Sequence, residues 1–175
     1  MVFVSHLETE RLLLRPLTRD DVDAIFAIIG DPIAMQYYPR TFTPEDAEKW
    51  IDRNLHWYEK DGYGLLAVVL KSSGAVIGDC GLSWQPADDE PVLELGYHLR
   101  RDHWGHGYAT EAAQACMDYA FRALKADRLV SLIKAENVPS RRVAERNGMQ
   151  AERQVMHVGL PHLMYVITRD RYGKA

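Results

Sequence analysis

The chain has 175 residues, a length that fits one domain over residues 1–175 built around one hydrophobic core. Its formal net charge of −4 and the absence of a long apolar run argue against nucleic acid, anionic membranes and membrane spans, while a cationic substrate stays electrostatically acceptable. The only cysteines, Cys80 and Cys116, lack CxxC spacing, and no signal peptide is recognised, so we expect a reducing, cytoplasmic location.

The first half of the chain predicts one strand, two helices and a three-stranded unit. Thr18 to Asp21 provide a cap and early acidic residues for the first helix, and Thr43-Pro44 begin the second, which ends at Gly62. Apolar, β-branched segments on either side of the turn at residues 72–74 form a hairpin that a third strand extends. The predicted strands cover residues 12–15, 64–70, 76–84 and 92–99, and the helices begin at 22 and 44.

The second half predicts two helices, one strand and a closing hairpin. An alanine-rich helical face from Tyr108 to Leu124 packs close to a sheet, and Gly148 ends a short helix over 139–147. Strands are predicted at 128–133, 152–158 and 163–168, the last two joined around Gly159-Leu160-Pro161. This order of elements is α/β.

The segment from Trp104 to Thr110 contains two glycines and leads directly into a helix. Unpaired N–H groups and the helix dipole favour an anion at such a junction, and Gly105 and Gly107 let backbone amides approach a pyrophosphate. The P-loop pattern occurs nowhere in the chain, and Thr110 stands where a dinucleotide fingerprint needs Gly or Ala. The junction therefore predicts a phosphate site of another kind.

The stretch His103-Trp104-Gly105-His106-Gly107-Tyr108-Ala109-Thr110-Glu111-Ala112 resembles the acetyl-CoA loop of the GNAT N-acetyltransferases. It is most similar to the RimJ/RimL branch, which includes the ribosomal-protein Nα-acetyltransferases. Leu7 to Pro16 and Asn137 to Met149 resemble the opening strand and a later segment of the same branch. The resemblance implies a mixed, strongly twisted sheet of about seven strands flanked by about four helices.

The resemblance also implies a reaction in which acetyl-CoA, as co-substrate, donates its acetyl group to a primary amine by direct attack. The first acceptor it suggests is a peptide or protein N-terminus. A small amine, an amino acid, an aminoglycoside, or a non-catalytic CoA-binding module on the same fold are the alternatives. Thioester aminolysis needs no metal, the seven histidines form no recognisable metal motif, and a homodimer is possible.

An acidic side chain within an apolar central strand makes Glu94 the first candidate base, because such a residue is costly unless it is paired or used. A solvated or arginine-paired Glu94 is the alternative, and Glu90 and Asp79 are weaker candidates for the base. Gly96 indicates a bulge where the sheet splays to admit the thioester arm. Main-chain N–H groups from Tyr97 to Leu99 would then polarise the acetyl carbonyl.

By resemblance, Asn137 contacts the CoA arm and Ser140 protonates the departing thiolate. Many GNAT proteins carry a tyrosine four residues after that serine, where this chain has Ala144. Ordinary helix capping is the alternative for both residues.

The loop departs from the family pattern at its first position, where Asp102 replaces the usual Arg or Gln. An acidic side chain would repel a pyrophosphate, so we expect either that Asp102 turns toward Arg100 or Arg101 or that the loop is altered. The expected CoA contacts are accordingly made by backbone from Trp104 to Thr110, with Leu99 beside them.

The acceptor pocket is expected between the segment Met35 to Arg40 and the last hairpin. Tyr37 and Tyr38 are its candidate lining residues, although aromatic side chains also close cores. His98 and His162 are further candidates for carrying a proton.

Overall fold

One mixed sheet of eight strands organises the protein, whose computed structural model describes residues 5–173. The strands are β1 Leu7–Glu8, β2 Leu12–Pro16, β3 Leu65–Leu70, β4 Val76–Ala87, β5 Glu90–Leu99, β6 Arg128–Ile133, β7 Gln150–His157 and β8 Leu160–Thr168. The α-helices are α1 Val22–Ile29, α2 Pro44–Asp61, α3 Tyr108–Arg122, α4 Val138–Arg146 and α5 Arg169–Tyr172. The spatial order is β1-β2-β3-β4-β5-β6-β8-β7, and only the β5–β6 pair is parallel. The predicted α/β class is confirmed.

Helices cover both faces of this sheet. Successive residues of β3 join different clusters: Leu66 packs with the alanine-rich face of α3, and Leu65 packs with α1 and α2. Cys80 on β4 and Cys116 on α3 are both buried in the first cluster, with their Sγ atoms 3.6 Å apart. Across residues 5–173, no helix is both long and apolar enough to cross a membrane.

The β4–β5 hairpin is longer than predicted. The predicted strands stopped at residue 84 and resumed at 92, yet Pro86 and Pro91 pair opposite each other in a regular ladder that continues to a two-residue turn at Asp88 and Asp89. Both aspartates have positive φ, 50° and 65°, as a tight hairpin turn requires. The backbone N–H of Asp88 donates to the Met156 carbonyl at 2.9 Å, so β7 supports the hairpin tip.

The β7–β8 turn also differs from the prediction. It consists of Val158 and Gly159, with φ of 48° and 73°, and not of the Gly159-Leu160-Pro161 segment. Pro161 lies within β8, paired with Met156. A proline is uncommon inside a strand, so the observed position of Pro161 has no local sequence signal.

The sheet splays between β5 and β6, which pair only at Glu94 and Val130. Two side chains replace the lost ladder bonds: the Ser131 hydroxyl donates to the Leu95 carbonyl at 2.7 Å, and the Leu132 N–H donates to Glu94 Oε1 at 3.2 Å. These bonds satisfy buried backbone groups that would otherwise be unpaired.

The predicted bulge at Gly96 is wrong. Gly96 pairs with Gly81 in an uninterrupted β4–β5 register, so the divergence occurs on the other edge of β5. A Cβ on Gly96 would meet only Leu65 Cδ2, at 3.6 Å. Position 81 does require glycine, because neighbouring backbone lies close to it. A Cβ on Gly81 would lie 2.2 Å from the Gly64 carbonyl oxygen.

The N-terminal segment is tied to the start of α3 through one carboxylate. Glu111 accepts hydrogen bonds from the Thr9 hydroxyl at 2.6 Å, the Arg11 N–H at 2.9 Å and Arg11 Nε at 2.7 Å. Arg11 also donates to the His106 carbonyl at 2.9 Å, and its guanidinium stacks 4.5 Å above the Tyr108 ring. We call Thr9, Arg11 and Glu111 the Arg11–Glu111 clamp; it holds the loop before α3 against β2.

Replacing Gly81 with alanine is expected to destabilise the protein by about 1–3 kcal/mol or more, because the new methyl group would meet fixed backbone. Gly96→Ala is the matched control, since its methyl group makes only ordinary contact. Urea unfolding of both variants measures the difference. Equal stabilities would contradict the packing described for the two glycines.

Replacing Glu111 with glutamine is expected to cost about 1–2 kcal/mol at neutral pH, because charge-assisted hydrogen bonds are lost. Burial raises the pKa of Glu111, but the bonds from Thr9 and Arg11 outweigh it and hold the pKa below its ordinary value of 4.5. The wild-type carboxylate therefore stabilises the fold above that pH, and the advantage shrinks as pH falls below it.

The free energies of unfolding of Glu111→Gln and wild type, measured at pH values above and below 4.5, test this prediction. The exposed Glu59→Gln provides the control substitution. A stability difference that does not depend on pH would contradict the assignment to the ionised carboxylate.

Candidate active site

A cleft of about 960 Å³ lies over the splayed strands. Its walls are the segment between α1 and α2, strand β5, the loop before α3, the N-terminus of α4 and the β7–β8 turn. The lining contains every residue expected at the site except one: Tyr37, Tyr38, Glu94, Leu99, Trp104, Gly105, Gly107, Tyr108, Ala109, Thr110, Asn137 and Ser140. The exception, His106, stacks on Tyr108 outside the lining.

The loop before α3 turns sharply into the helix. Gly105 and Gly107 have φ of 79° and 81°, and Gly107 directly precedes the first helical residue. Trp104 Nε1 donates to the Leu99 carbonyl at 2.9 Å, which joins the loop to the end of β5. In the first turn of α3, the buried Thr110 hydroxyl has no hydrogen-bond partner within the described chain. The junction thus combines a helix N-terminus with an unsatisfied hydroxyl beside the cleft.

Asp102 is turned toward arginine, as expected. Arg100 contacts its two carboxylate oxygens at 2.8 Å and 2.7 Å, and His103 Nδ1 lies 2.8 Å from Oδ1. The hydrogen bonds from Arg100 and then His103 hold the pKa of Asp102 well below its usual range. Arg101 instead pairs with Asp31 at 2.9 Å. The acidic charge beside the loop is therefore balanced by a bidentate arginine.

Glu94 projects into the cleft at the splay. Its carboxylate accepts the Leu132 N–H, and no arginine of the described chain forms an ion pair with it. Burial raises the pKa of Glu94 above its ordinary value, although the charges of His157 and His98 and the Leu132 bond oppose the shift. Of the weaker candidates, Glu90 is exposed at the hairpin tip, and Asp79 is buried.

Asn137 and Ser140 form the N-terminal cap of α4. Asn137 Oδ1 accepts the Ser140 N–H at 3.2 Å, which is the capping geometry named as the alternative role. The Ser140 hydroxyl lies 3.4 Å from the Tyr97 hydroxyl, and Tyr97 donates to the Ser140 carbonyl at 2.9 Å. Tyr97 therefore brings a hydroxyl from β5 to the N-terminus of α4. The sequence analysis, which looked for a tyrosine at position 144, did not predict this contact.

The wall formed between α1 and α2 carries a chain of hydrogen bonds that sequence analysis missed. The Tyr38 hydroxyl lies 2.6 Å from His98 Nε2, and His98 Nδ1 lies 2.7 Å from Asp79 Oδ1. Asp79 Oδ2 accepts from Trp50 Nε1 at 2.8 Å. Tyr37 lines the same cleft.

Two further groups line the same cleft. Arg53 on α2 stacks on Trp50 and Trp57, with its guanidinium carbon 4.8 Å and 5.2 Å from the ring centroids. His157 and His162, from the closing hairpin, pack edge to face at 5.1 Å, and burial lowers the pKa of His162. Among the described side chains, no three His, Cys, Asp or Glu residues gather as a metal ion would require.

Comparison with known proteins identifies the fold and the family. The family model for the GNAT acetyltransferase domain matches residues 11–150. YkkB of Bacillus subtilis (strain 168), an uncharacterized protein, is 33% identical over 164 residues, covering 92% of this chain and 94% of its own. The uncharacterized N-acetyltransferase YnaD of the same organism is 31% identical over 148 residues, covering 84% of each chain.

Solved structures of acetyltransferases show the same fold. The acetyltransferase from Agrobacterium tumefaciens superposes with a TM-score of 0.83 at 31% identity, over 95% of this chain and 96% of its own. RimL, a ribosomal L7/L12 acetyltransferase solved with coenzyme A, shares the fold with a TM-score of 0.74 at 19% identity, over 95% and 99% of the two chains. The chain belongs to the GNAT acetyltransferase family, and its activity is that of an acyltransferase.

Proposed function

We propose that this GNAT domain transfers the acetyl group of acetyl-CoA to a primary amine, with the backbone from Trp104 to Thr110 binding the donor's diphosphate. Acetyl-CoA supplies the acetyl group as a thioester. The N-terminus of α3 favours an anion, and the unpartnered Thr110 hydroxyl lacks the acceptor that a phosphate oxygen provides. Gly105 and Gly107 expose backbone amides that a side chain would cover.

The donor's arm is proposed to run along the gap between β5 and β6. Asn137 is the candidate contact for the arm, since its Oδ1 caps α4 while its amide nitrogen can still donate. Main-chain N–H groups between Tyr97 and Leu99 are the candidate donors to the acetyl carbonyl. There they would stabilise the negative charge that develops on its oxygen during attack.

Glu94 is proposed as the base that removes a proton from the attacking amine. The observation that carries this role is a carboxylate with a raised pKa held in the splay of the same cleft as the loop. A base must be deprotonated to act, so activity should rise with pH through a pKa above 4.5. Ser140 is proposed as the acid for the thiolate, at the corner it shares with Tyr97.

The proposed acceptor is a peptide or protein N-terminal amine that enters beside Tyr37 and Tyr38. The acidic Glu94 and the aromatic wall suit a cationic amine. The resemblance to the RimJ/RimL branch is what favours a peptide over a small amine, an amino acid or an aminoglycoside. A panel of these amines, followed by release of free thiol, distinguishes the classes. The cytoplasmic location, single-domain organisation and possible homodimer stay predictions.

Replacing Glu94 with glutamine is expected to lower kcat by roughly 10²- to 10⁴-fold, the usual contribution of a positioned base. The affinity for acetyl-CoA should stay within about twofold of wild type, because the loop before α3 is untouched. Thiol-release kinetics and calorimetry measure the two quantities. Glu90→Gln on the same strand is the control. Unchanged turnover by Glu94→Gln would contradict the role of Glu94 as the base. If the wild type binds acetyl-CoA but turns over no amine, the non-catalytic CoA-binding module is favoured.

Replacing Gly107 with alanine is expected to weaken acetyl-CoA binding by at least tenfold. Gly74→Ala is the matched control, because Gly74 has a similar φ of 72° in a turn outside the cleft. Each variant should lose about 1–2 kcal/mol of stability from the left-handed backbone. Only Gly107→Ala should also lose affinity in calorimetry. Equal affinities of the two variants would contradict the proposed diphosphate site.

A further inference from the structure

The hydrogen-bonded chain on the acceptor side of the cleft allows one arrangement of protons when the His98 ring is neutral. Asp79 is 1% exposed and accepts a hydrogen bond from Trp50 Nε1, and its other oxygen accepts a hydrogen bond from the N–H at His98 Nδ1. Nε2 of the neutral imidazole is then an acceptor, and the Tyr38 hydroxyl must donate to it. Tyr38 lines the cleft, and a hydroxyl that donates to His98 keeps oxygen lone pairs with which to accept a proton.

We propose that Tyr38, His98 and Asp79 form a proton relay that accepts a proton from the acceptor amine. The inference rests on the proposed N-acetyltransferase function and adds a second proton acceptor to Glu94. Tyr38 and His98 both line the cleft, so the relay begins in the volume that the amine would occupy. Asp79 is the positioning residue, since its carboxylate is hydrogen-bonded to His98 and Trp50 and it is not among the residues that line the cleft.

The transfer balances without any further reactant. An N–H bond of the amine breaks as an O–H bond forms on Tyr38, and the original Tyr38 proton moves to His98 Nε2. The imidazolium stays hydrogen-bonded to Asp79. Burial raises the pKa of Tyr38, so a free tyrosinate is costly. A concerted shift avoids that species because Tyr38 stays neutral before and after the step.

Amide formation from a primary ammonium removes two protons from the nitrogen, and two proton acceptors beside the cleft let both leave in one turnover. The nitrogen begins with three protons and ends with one, so two protons must leave it. Glu94 and His98 stand on the same face of β5 with Gly96 between them, and four residues of strand place their Cα atoms about 13 Å apart. Gly96 has no side chain to fill the space between the two acceptors. Glu94 takes one proton and the relay takes the other, and both are later released to solvent. The thiolate gains one proton from the Ser140 hydroxyl, which solvent reprotonates, so one proton is released net in each turnover.

The groups that surround His98 fix the direction of its pH dependence. Burial lowers the pKa of His98, but Asp79 on β4 raises it through its charge and hydrogen bond. Glu94 on β5 raises it further, Arg53 on α2 lowers it, and the result lies above the ordinary 6.5. Tyr38 faces the ring as a neutral partner. The relay accepts protons only while His98 is neutral, so its contribution increases as pH rises through that pKa.

Tyr38→Phe and His98→Gln test the relay. Each is expected to lower kcat by roughly tenfold to a hundredfold above the His98 pKa, with the affinity for acetyl-CoA unchanged. The double variant should lose no more than the worse single variant, because both residues serve one path. In His98→Gln, the increase of kcat with pH that belongs to the imidazole should disappear. Tyr172→Phe and His56→Gln are matched controls outside the cleft.

Nitrogen NMR of the His98 ring provides a readout that does not depend on turnover. The relay requires a neutral ring protonated on Nδ1, with a pKa that falls in Asp79→Asn and an Nε2 signal that shifts in Tyr38→Phe. A ring protonated on Nε2, or full kcat with an unchanged pH profile in both single variants, would overturn the relay. Turnover that depends on Glu94 but not on Tyr38 or His98 overturns the relay alone. Absence of turnover by the wild type with every amine overturns the proposed function as well.

Discussion

The divergence of β5 from β6 is the constraint on which the rest of the structure depends. Two parallel strands that pair at a single position leave polar backbone groups without a ladder, and such groups are costly inside a protein. Ser131 and Glu94 replace those bonds with side chains, which keeps the gap open. The Glu94 carboxylate that accepts the Leu132 N–H is thereby held in the cleft. One hydrogen bond therefore serves both the fold and the proposed chemistry.

The loop before α3 depends on a contact from the other end of the sheet. Its two left-handed glycines make it intrinsically adaptable, and the Arg11–Glu111 clamp removes that freedom by joining β2 to the first turn of α3. A preorganised loop loses less conformational entropy when it binds an anion. The physical link explains why the opening segment and the loop, two stretches that resemble the same family, are parts of one unit.

Local signals predicted the elements they control. Thr43, Pro44 and Gly62 marked both ends of α2, and the glycine pair marked the turn into α3. The predicted strands began at residues 92 and 163, whereas β5 and β8 begin earlier and include Pro91 and Pro161; a strand that accommodates proline has no local signature. Contacts between distant parts of the chain could not be predicted. Tyr38 and His98 are 60 positions apart, and nothing in the neighbouring sequence indicates that they form a hydrogen bond. The fold and the loop were therefore predictable, and the relay was not.

A crystal structure of the protein with coenzyme A tests the central claim most directly. The account predicts the diphosphate on the amides before α3, within hydrogen-bond distance of the Thr110 hydroxyl, and the thiol end in the gap between β5 and β6 beside Glu94. Coenzyme A bound elsewhere, or no coenzyme A bound in the cleft at millimolar concentration, would contradict the account.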